Sequence, residues 1–320
     1  MTTLTLTPQS YPMDVFGFPG TNVTVEGFAP SGHPKYCRPK KKTTSFVGKT
    51  LRDIRGVFGL AHLGDGLMIT GPTGCGKTSA VEQVLARLNY PAQSYTCGGS
   101  TEYMDLVGQY TLVNGNTVWM DGVLTTAMRE GHVLILNEID LVDPAELANL
   151  NAILEGAPLV ITQLNGEIVR PHPAFRLIAT SNSNGSGGDG NYMGVNRLNM
   201  AFMDRFVVIK EDYASEDTEM AVLEKLAPNI PKVLRKKMIE LANKVRAIFK
   251  GEQGDSEASI TFSTRTVIRW AILTQRFQGA NNALSYALDR ALLNRCSEEE
   301  ERETIQTLAV ALFGADFNNN

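Results

Sequence analysis

The chain has 320 residues, of which 43% are hydrophobic and 20% charged, with a formal net charge of -4. This length suits two domains or one large domain with an appendage, and the composition excludes a disulfide scaffold and a disordered chain. The acidic balance argues against a surface devoted to nucleic acid or membrane. Four cysteines without a CxxC pair, and no long apolar run or signal-peptide pattern, predict a reduced, cytoplasmic protein without membrane contact.

Residues 1–45 are rich in proline, glycine, threonine and serine and lack a helical apolar period. They are predicted to form an extended arm with short strands at most. The arm contains a basic run, HPKYCRPKKK at 33–42, with the cations Lys35, Arg38, Lys40, Lys41 and Lys42. A short charge run of this kind usually lies in solvent, and the alternative is a contact with phosphate groups or a partner.

Between residues 46 and 212, short apolar runs alternate with helical periods, which predicts an α/β domain with a parallel sheet covered on both faces. Three runs are predicted as buried strands: 66–70, 132–136 and 175–180. Two helices are predicted between them: 79–89 and 144–156. Asp143 is the candidate N-cap of the second helix, because Pro144 then stands at its first position.

Two further segments of this region carry Asn-Gly between strand-like runs and are predicted as β-hairpins: 111–120 and 159–170. Trp119 near the end of the first hairpin either grips a substrate chain or covers the hairpin's own apolar face. A glycine-rich segment at 183–196 is predicted to be a surface loop, and the alternative is a loop that responds to the nucleotide or touches a partner.

After residue 212 the strand patterns end, so residues 213–320 are predicted to form a smaller, all-helical domain. Five helices are predicted in it: 215–227, 231–250, 263–278, 282–295 and 298–313. Pro231 and the acidic run at 298–301 stand where helix starts favour them.

The most specific pattern is GPTGCGKT at 71–78, directly after a predicted strand and before a predicted helix. In the GxxxxGK[ST] pattern, glycines let backbone amides surround phosphates, the lysine reaches the terminal phosphates, and the hydroxyl offers a ligand to magnesium. The pattern predicts nucleoside triphosphate binding by the loop and the first helical turn: Gly71, Pro72, Thr73, Gly74, Cys75, Gly76, Lys77, Thr78 and Ser79.

Polar side chains follow the other two predicted strands. Glu138 stands where such NTPases usually place the acid that polarises water. Asn137 replaces the usual magnesium-holding acid, and an amide can hold the ion through a bound water but adds no charge. Asn182 is expected near the terminal phosphate, because the carboxyl ends of parallel strands meet at one edge. The alternative for these strand ends is ordinary turn chemistry.

The series GPTGCGKT, LILNEID, ATSN at 179–182 and MDRF at 203–206, followed by a helical region, resembles the AAA+ ATPases. Residues 66–213 are similar to the MoxR group, and most to the ATPase subunits of aerobic cobaltochelatases, as shown by VEQVLARLNYP, DLVGQY, VRPHPAFRLIATSN and NMAFMDRF. The resemblance implies a P-loop AAA+ core with a central parallel sheet flanked by helices, followed by an all-helical lid.

The resemblance also implies roles for named residues. Lys77 and Thr78 would be the Walker A residues, and Asn137 and Glu138 the Walker B pair. Asn182 would be sensor 1. Two arginines would complete the site: Arg205 as the arginine finger, for which the alternative is a salt bridge to a nearby acid, and Arg265 as sensor 2, with Arg269 as its competitor.

The function implied is ATP hydrolysis to ADP and phosphate, with ATP and Mg²⁺ bound, by a ring, commonly a hexamer, that remodels a protein partner. MoxR-type ATPases are typically paired with an adaptor that bears a von Willebrand factor A domain, as in a chelatase complex. Two alternatives stay open. One is a nucleic-acid-associated or defence-type NTPase using the basic run, which the acidic charge disfavours. The other, motivated by Asn137, is a nucleotide-gated assembly with little hydrolysis.

Overall fold

The computed structural model describes residues 4–16, 22–41, 65–183, 194–249, 260–314 and 317. They fall into two compact units, Met1–Gly71 with Lys77–Glu211 and Pro72–Gly76 with Asp212–Asn320. Within the described residues, no helix combines the length and the apolar character needed to cross a bilayer.

The first unit contains all strands of the described residues. They are β1 (Pro8–Pro12), β2 (Thr24–Phe28), β3 (Gly66–Thr70), β4 (Ala92–Thr96), β5 (Gly108–Val113), β6 (Asn116–Asp121), β7 (Val133–Asn137), β8 (Leu159–Ile161), β9 (Glu167–Val169), β10 (Arg176–Ser181) and β11 (Phe206–Lys210). Its α-helices are α1 (Lys77–Arg87), α2 (Tyr103–Val107), α3 (Val123–Glu130), α4 (Pro144–Leu147), α5 (Asn151–Leu154) and α6 (Met200–Met203).

Five of these strands form a parallel sheet in the order β11-β3-β10-β7-β4. Every residue of β3 and β7 is buried, because apolar clusters cover both faces of the sheet. The predicted α/β fold with a parallel sheet is therefore confirmed. Its three predicted strands form β3, β7 and β10, whereas β4 and β11 at the two edges carry no buried apolar run and were not predicted.

The predicted helix at 144–156 forms as two short α-helices, α4 and α5, with a 3-10 turn between them. Asp143 is its N-cap, as predicted: the carboxylate accepts a hydrogen bond from Ala145 N, and Pro144 occupies the first helical position.

The N-terminal segment is packed against the sheet unit. Strands β1 and β2 pair antiparallel, and Val25 joins the apolar cluster around Leu88 at the end of α1. The backbones touch there: Phe28 N donates to Leu88 O at 2.9 Å, and a Cβ on Gly27 would lie 2.2 Å from the same oxygen. This close approach requires glycine at position 27.

The basic run is exposed but tied to its own chain. Lys35 Nζ pairs with the carboxylate of Glu130, and Arg38 donates to the side-chain oxygen of Asn89. Two of its cations are thus already engaged within the unit. Lys42 lies outside the described residues.

Both predicted hairpins form. Asn114 and Gly115, with φ of 51° and 81°, connect β5 to β6 as a two-residue turn. The second hairpin pairs β8 with β9 but has a longer connection, because a 3-10 turn at Thr162–Leu164 precedes its Asn-Gly pair.

Trp119 covers the face of its own hairpin, which favours the second of its two predicted roles. Its ring lies edge-on to Tyr110, 5.3 Å between centroids, and its indole N–H donates to Asp121 Oδ1 at 2.8 Å.

The second unit is helical. Its helices are α7 (Glu216–Leu226), α8 (Lys232–Phe249), α9 (Thr264–Arg276), α10 (Ala283–Ala291) and α11 (Glu299–Phe313). They correspond to the five predicted helices, except that the fourth ends at Ala291 and continues as a 3-10 turn, Leu293–Arg295. Trp270, which is fully buried, lies at the centre of their apolar core.

Candidate nucleotide-binding site

The glycine-rich loop connects β3 to α1 and has the backbone conformations that its glycines permit. Gly74 and Gly76 have φ of 74° and 105°, where side chains with a Cβ are strained. Gly71 has φ of 153°, and a Cβ there would lie 2.3 Å from Glu211 O. The loop leads into the N-terminus of an 11-residue helix, whose free amides and dipole favour an anion.

Lys77, on α1, contacts residues at the carboxyl ends of two neighbouring strands, β3 and β10. Its Nζ donates to Gly71 O at the end of β3, at 2.7 Å, and to Asn182 Oδ1 just after β10, at 2.9 Å. The lysine is only 8% exposed. Both of these acceptors are neutral oxygens, so the two contacts orient the ammonium without cancelling its charge, which is the arrangement that phosphate binding needs.

Thr78 and Asn137 meet beside this lysine. Thr78 Oγ1 donates to Asn137 Oδ1 at 2.6 Å, and the amide nitrogen of Asn137 donates to Ser94 Oγ at 2.7 Å. Ser94 on β4 thus turns the amide so that its oxygen faces Thr78. Two uncharged oxygens of this kind suit Mg²⁺, which binds through oxygen ligands and retains several waters. The residues present fit such an ion.

Glu138 follows β7 in a left-handed conformation, with φ of 56° and ψ of 44°, and its side chain is half-buried. A residue with a Cβ pays about 1–2 kcal/mol for this conformation. Its amide donates to Thr180 Oγ1 at 3.3 Å, so the turn is anchored to β10. Strain retained next to a phosphate-binding loop is typical of a functional position.

Asp140 is a residue of this region that the sequence analysis missed. It is fully buried in the turn after Glu138, and its carboxylate accepts hydrogen bonds from residues 182 and 183. The signal available in the sequence was a second acid two positions after Glu138, which cannot be told from a solvated turn residue without the fold.

The two predicted arginines lie in different units. Arg205, two residues after the end of α6, donates through Nε to Glu155 Oε1 at 2.9 Å, and its side chain is 27% exposed. In the single chain, Arg205 therefore forms the salt bridge to a nearby acid that was the alternative to its predicted role as an arginine finger. Arg265 is the second residue of α9 and is exposed, as is Arg269 one turn later, so their positions on the helix do not distinguish between them.

The cysteines near the site are free thiols. Burial raises the pKa of Cys97 to about 12, and the nearby carboxylates of Asp140 and Glu138 add to the shift. A thiol with this pKa stays protonated and is a poor nucleophile. Cys75 is a half-buried position of the glycine-rich loop, and no disulfide joins any of the four cysteines.

Comparison with known proteins places both units in described families. Residues 66–206 match the family model described as AAA domain (dynein-related subfamily), and residues 219–312 match the model described as CbbQ/NirQ/NorQ C-terminal. The aerobic cobaltochelatase subunit CobS of Sinorhizobium sp is 29% identical over 285 residues, which cover 86% of this chain and 80% of that protein. Protein NorQ of Paracoccus denitrificans (strain Pd 1222) is 30% identical over 248 residues, which cover 78% of this chain and 86% of that protein.

Proposed function

This chain belongs to the MoxR group of AAA+ ATPases, and we propose that it is an ATP-hydrolysing ring motor that remodels a protein partner. In this proposal residues 46–212 form the nucleotide-binding domain and residues 213–320 the lid. The observation that carries it is the meeting of Lys77, Thr78 and Asn137 with Asn182 at one edge of the sheet.

Each side chain then has a task in the site. The loop 71–76 and Lys77 hold the phosphates of ATP, and Ser79 extends the first helical turn. Thr78 would hold Mg²⁺ directly and Asn137 would hold it through water; when bound, the ion neutralises phosphate charge. Glu138 takes the proton of the attacking water, and Asn182 orients that water against the terminal phosphate.

We further propose that Arg205 acts as an arginine finger at the site of a neighbouring subunit and that Arg265 acts as sensor 2. At the neighbour's site, the guanidinium of Arg205 would stabilise the charge that develops on the transferred phosphoryl group. In the single chain Arg205 is paired with Glu155, so ring assembly must exchange this carboxylate for the neighbour's phosphate. Both are anionic oxygen acceptors, and the exchange keeps the arginine paired. The ring is proposed to be a hexamer.

The partner is proposed to be a protein, reached through an adaptor with a von Willebrand factor A domain in a chelatase-like complex. Support comes from the similarity to a cobaltochelatase subunit and to NorQ over both units of the chain. Nucleic acid is a poorer candidate, because Lys35 and Arg38 of the basic run are engaged by Glu130 and Asn89.

The experiment that tests this function measures light-scattering mass and phosphate release together, with and without ATP and Mg²⁺. We expect the mass of the wild type to rise several-fold with ATP. Arg205→Ala should still assemble but should release phosphate at least about 100-fold more slowly, because arginine fingers contribute about 10³–10⁵ to turnover.

Arg302→Ala is the matched control, since Arg302 forms a partly exposed, 3.7 Å ion pair with Asp289 in the helical unit. It should release phosphate at the wild-type rate. A wild type that stays monomeric with ATP, or an Arg205→Ala variant with unchanged turnover, would refute the ring motor.

A nucleotide-gated assembly with little hydrolysis is the second candidate, favoured by the uncharged Asn137. If the missing charge limits turnover, Asn137→Asp should lower the Mg²⁺ concentration for half-maximal phosphate release about tenfold and raise the maximal rate, because a carboxylate holds the hydrated ion more strongly. Ser94 can rotate its hydroxyl to donate to the new carboxylate.

The check is a Mg²⁺ titration of phosphate release at saturating ATP for the wild type, Asn137→Asp and Asn149→Asp. Asn149 is an exposed asparagine in the same unit, and its side chain donates to Glu146 O at 3.2 Å. An Asn137→Asp variant with the wild-type Mg²⁺ dependence and rate would count against the gated assembly and leave the motor as the better account.

A further inference from the structure

The carboxylate of Asp140 holds the segment that carries Asn182. Its Oδ2 accepts hydrogen bonds from Asn182 N, Ser183 N and Ser183 Oγ, each at 3.0 Å. Asp140 is fully buried, so these bonds lie in a medium of low dielectric and are charge-assisted. The turn after β7 and the end of β10 are thereby fixed to each other.

The same turn also holds Asn196. Asn196 N donates to the carbonyl oxygen of Asp140 at 2.7 Å, and its side-chain amide donates to Leu141 O and Val142 O. The stretches on either side of 184–193 are therefore attached to one short turn, which begins at Glu138.

We propose that Asp140 is a positioning residue for the reaction, which sets Asn182 against Lys77 and the terminal phosphate. The inference rests on the proposed function, because it deepens the role assigned to Asn182. Asp140 does not touch substrate in this proposal. It acts through the backbone of residues 182 and 183, and Asn182 Oδ1 in turn accepts from Lys77 Nζ at 2.9 Å.

The contacts define how this role differs from simple support of the fold. Asn182 has its backbone held by Asp140 and its side chain held by Lys77, so the amide has one orientation. Loss of the carboxylate frees the backbone of residues 182 and 183 but leaves Lys77 on Gly71 O. Phosphate binding by the loop should then survive, while discrimination of the terminal phosphate and the chemical step should suffer.

The first measurement compares turnover in two variants. Asp140→Ala should lower the maximal rate of phosphate release by about 10- to 100-fold, as expected for misplacement of a reacting group. Asp140→Asn should stay within about threefold of the wild type, because its amide oxygen can accept the same bonds. The asparagine's amide nitrogen would replace Oδ1, which has no hydrogen-bond partner among the described residues. The melting temperature of this variant should therefore fall, because a buried N–H donor is left without an acceptor.

Asp143→Ala is the matched control. It removes an aspartate three positions further on, which is exposed and caps α4 through Ala145 N. Its turnover should equal that of the wild type. The turnover of the double variant Asp140→Ala, Asn182→Ala should be within about threefold of that of Asn182→Ala alone. Both substitutions act on the same group, the positioned side-chain amide of Asn182, so their effects should not add.

The second measurement needs no hydrolysis. Competition against a fluorescent nucleotide gives the dissociation constants of ADP and of ATPγS, and Asp140→Ala should reduce the preference for ATPγS about tenfold. Equal weakening of both nucleotides, additive rate effects with Asn182→Ala, or a rate for Asp140→Asn as low as that of Asp140→Ala would each overturn the positioning role. A wild type without turnover would refute only the proposed function. The ratio of the dissociation constants of ADP and ATPγS would still test the role of Asp140.

Discussion

Glu138→Gln is expected to lower ATP turnover by about 10²- to 10³-fold while the affinity for ATP stays within about threefold of the wild type. The amide keeps the size of the side chain but cannot take a proton from water, and positioned bases contribute about 10²–10⁴ to such steps. The hydrogen bonds of Lys77 to Gly71 O and Asn182 Oδ1 do not involve Glu138 and should persist. Phosphate release at saturating ATP and titration with labelled ATP measure the two effects.

Glu146→Gln is the matched control, because Glu146 is a half-buried glutamate of the same segment whose carboxylate accepts from Tyr103 N at 2.8 Å. Glutamine can accept that bond, so turnover should not change. Glu138→Gly adds a second test: it should also abolish turnover, yet raise the melting temperature, since glycine relieves the left-handed conformation at φ of 56°. A Glu138→Gln variant that retains a third of wild-type turnover would exclude Glu138 as the base.

The burial of each strand explains whether it could be predicted from the sequence. Strands β3 and β7 are buried on both faces and therefore read as continuous apolar runs. Strand β4 is an edge strand in which no residue is fully buried, and the hydroxyl of Ser94 accepts a hydrogen bond from Asn137 instead of packing in the core. Its sequence, AQSYT, has no pattern that separates it from a loop.

The candidate site divides in the same way. The glycine-rich loop is a contiguous motif, and each of its glycines has a positive φ, a conformation that glycine adopts more readily than other residues. The contacts of Asp140 and Arg205 instead join residues 42 and 50 positions apart. A single sequence gives the residue types at both ends of such a bond but not the strand order that brings them together.

Glu219→Gln is expected to destabilise the helical unit by about 3–5 kcal/mol, because it leaves a buried arginine without its counter-charge. Glu219 and Arg246 are 1% and 6% exposed and are joined by two hydrogen bonds, of 2.7 and 3.1 Å. Arg246 also donates to Phe262 O at 2.8 Å, so the pair connects α7, α8 and the approach to α9. Arg265 follows on α9, so this pair supports the helix that carries the proposed sensor 2 residue.

The measurement is urea unfolding followed by the fluorescence of Trp270 in a Trp119→Phe background, which leaves one of the two tryptophans. Glu240→Gln is the control on α8, because it breaks an exposed pair with Lys244 at 3.3 Å and should cost less than about 0.5 kcal/mol. Replacing both buried partners, Glu219→Leu with Arg246→Met, should recover at least half of the loss, since no unpaired charge then remains. A Glu219→Gln variant as stable as Glu240→Gln would show that water reaches the pair and that it does not hold the unit together.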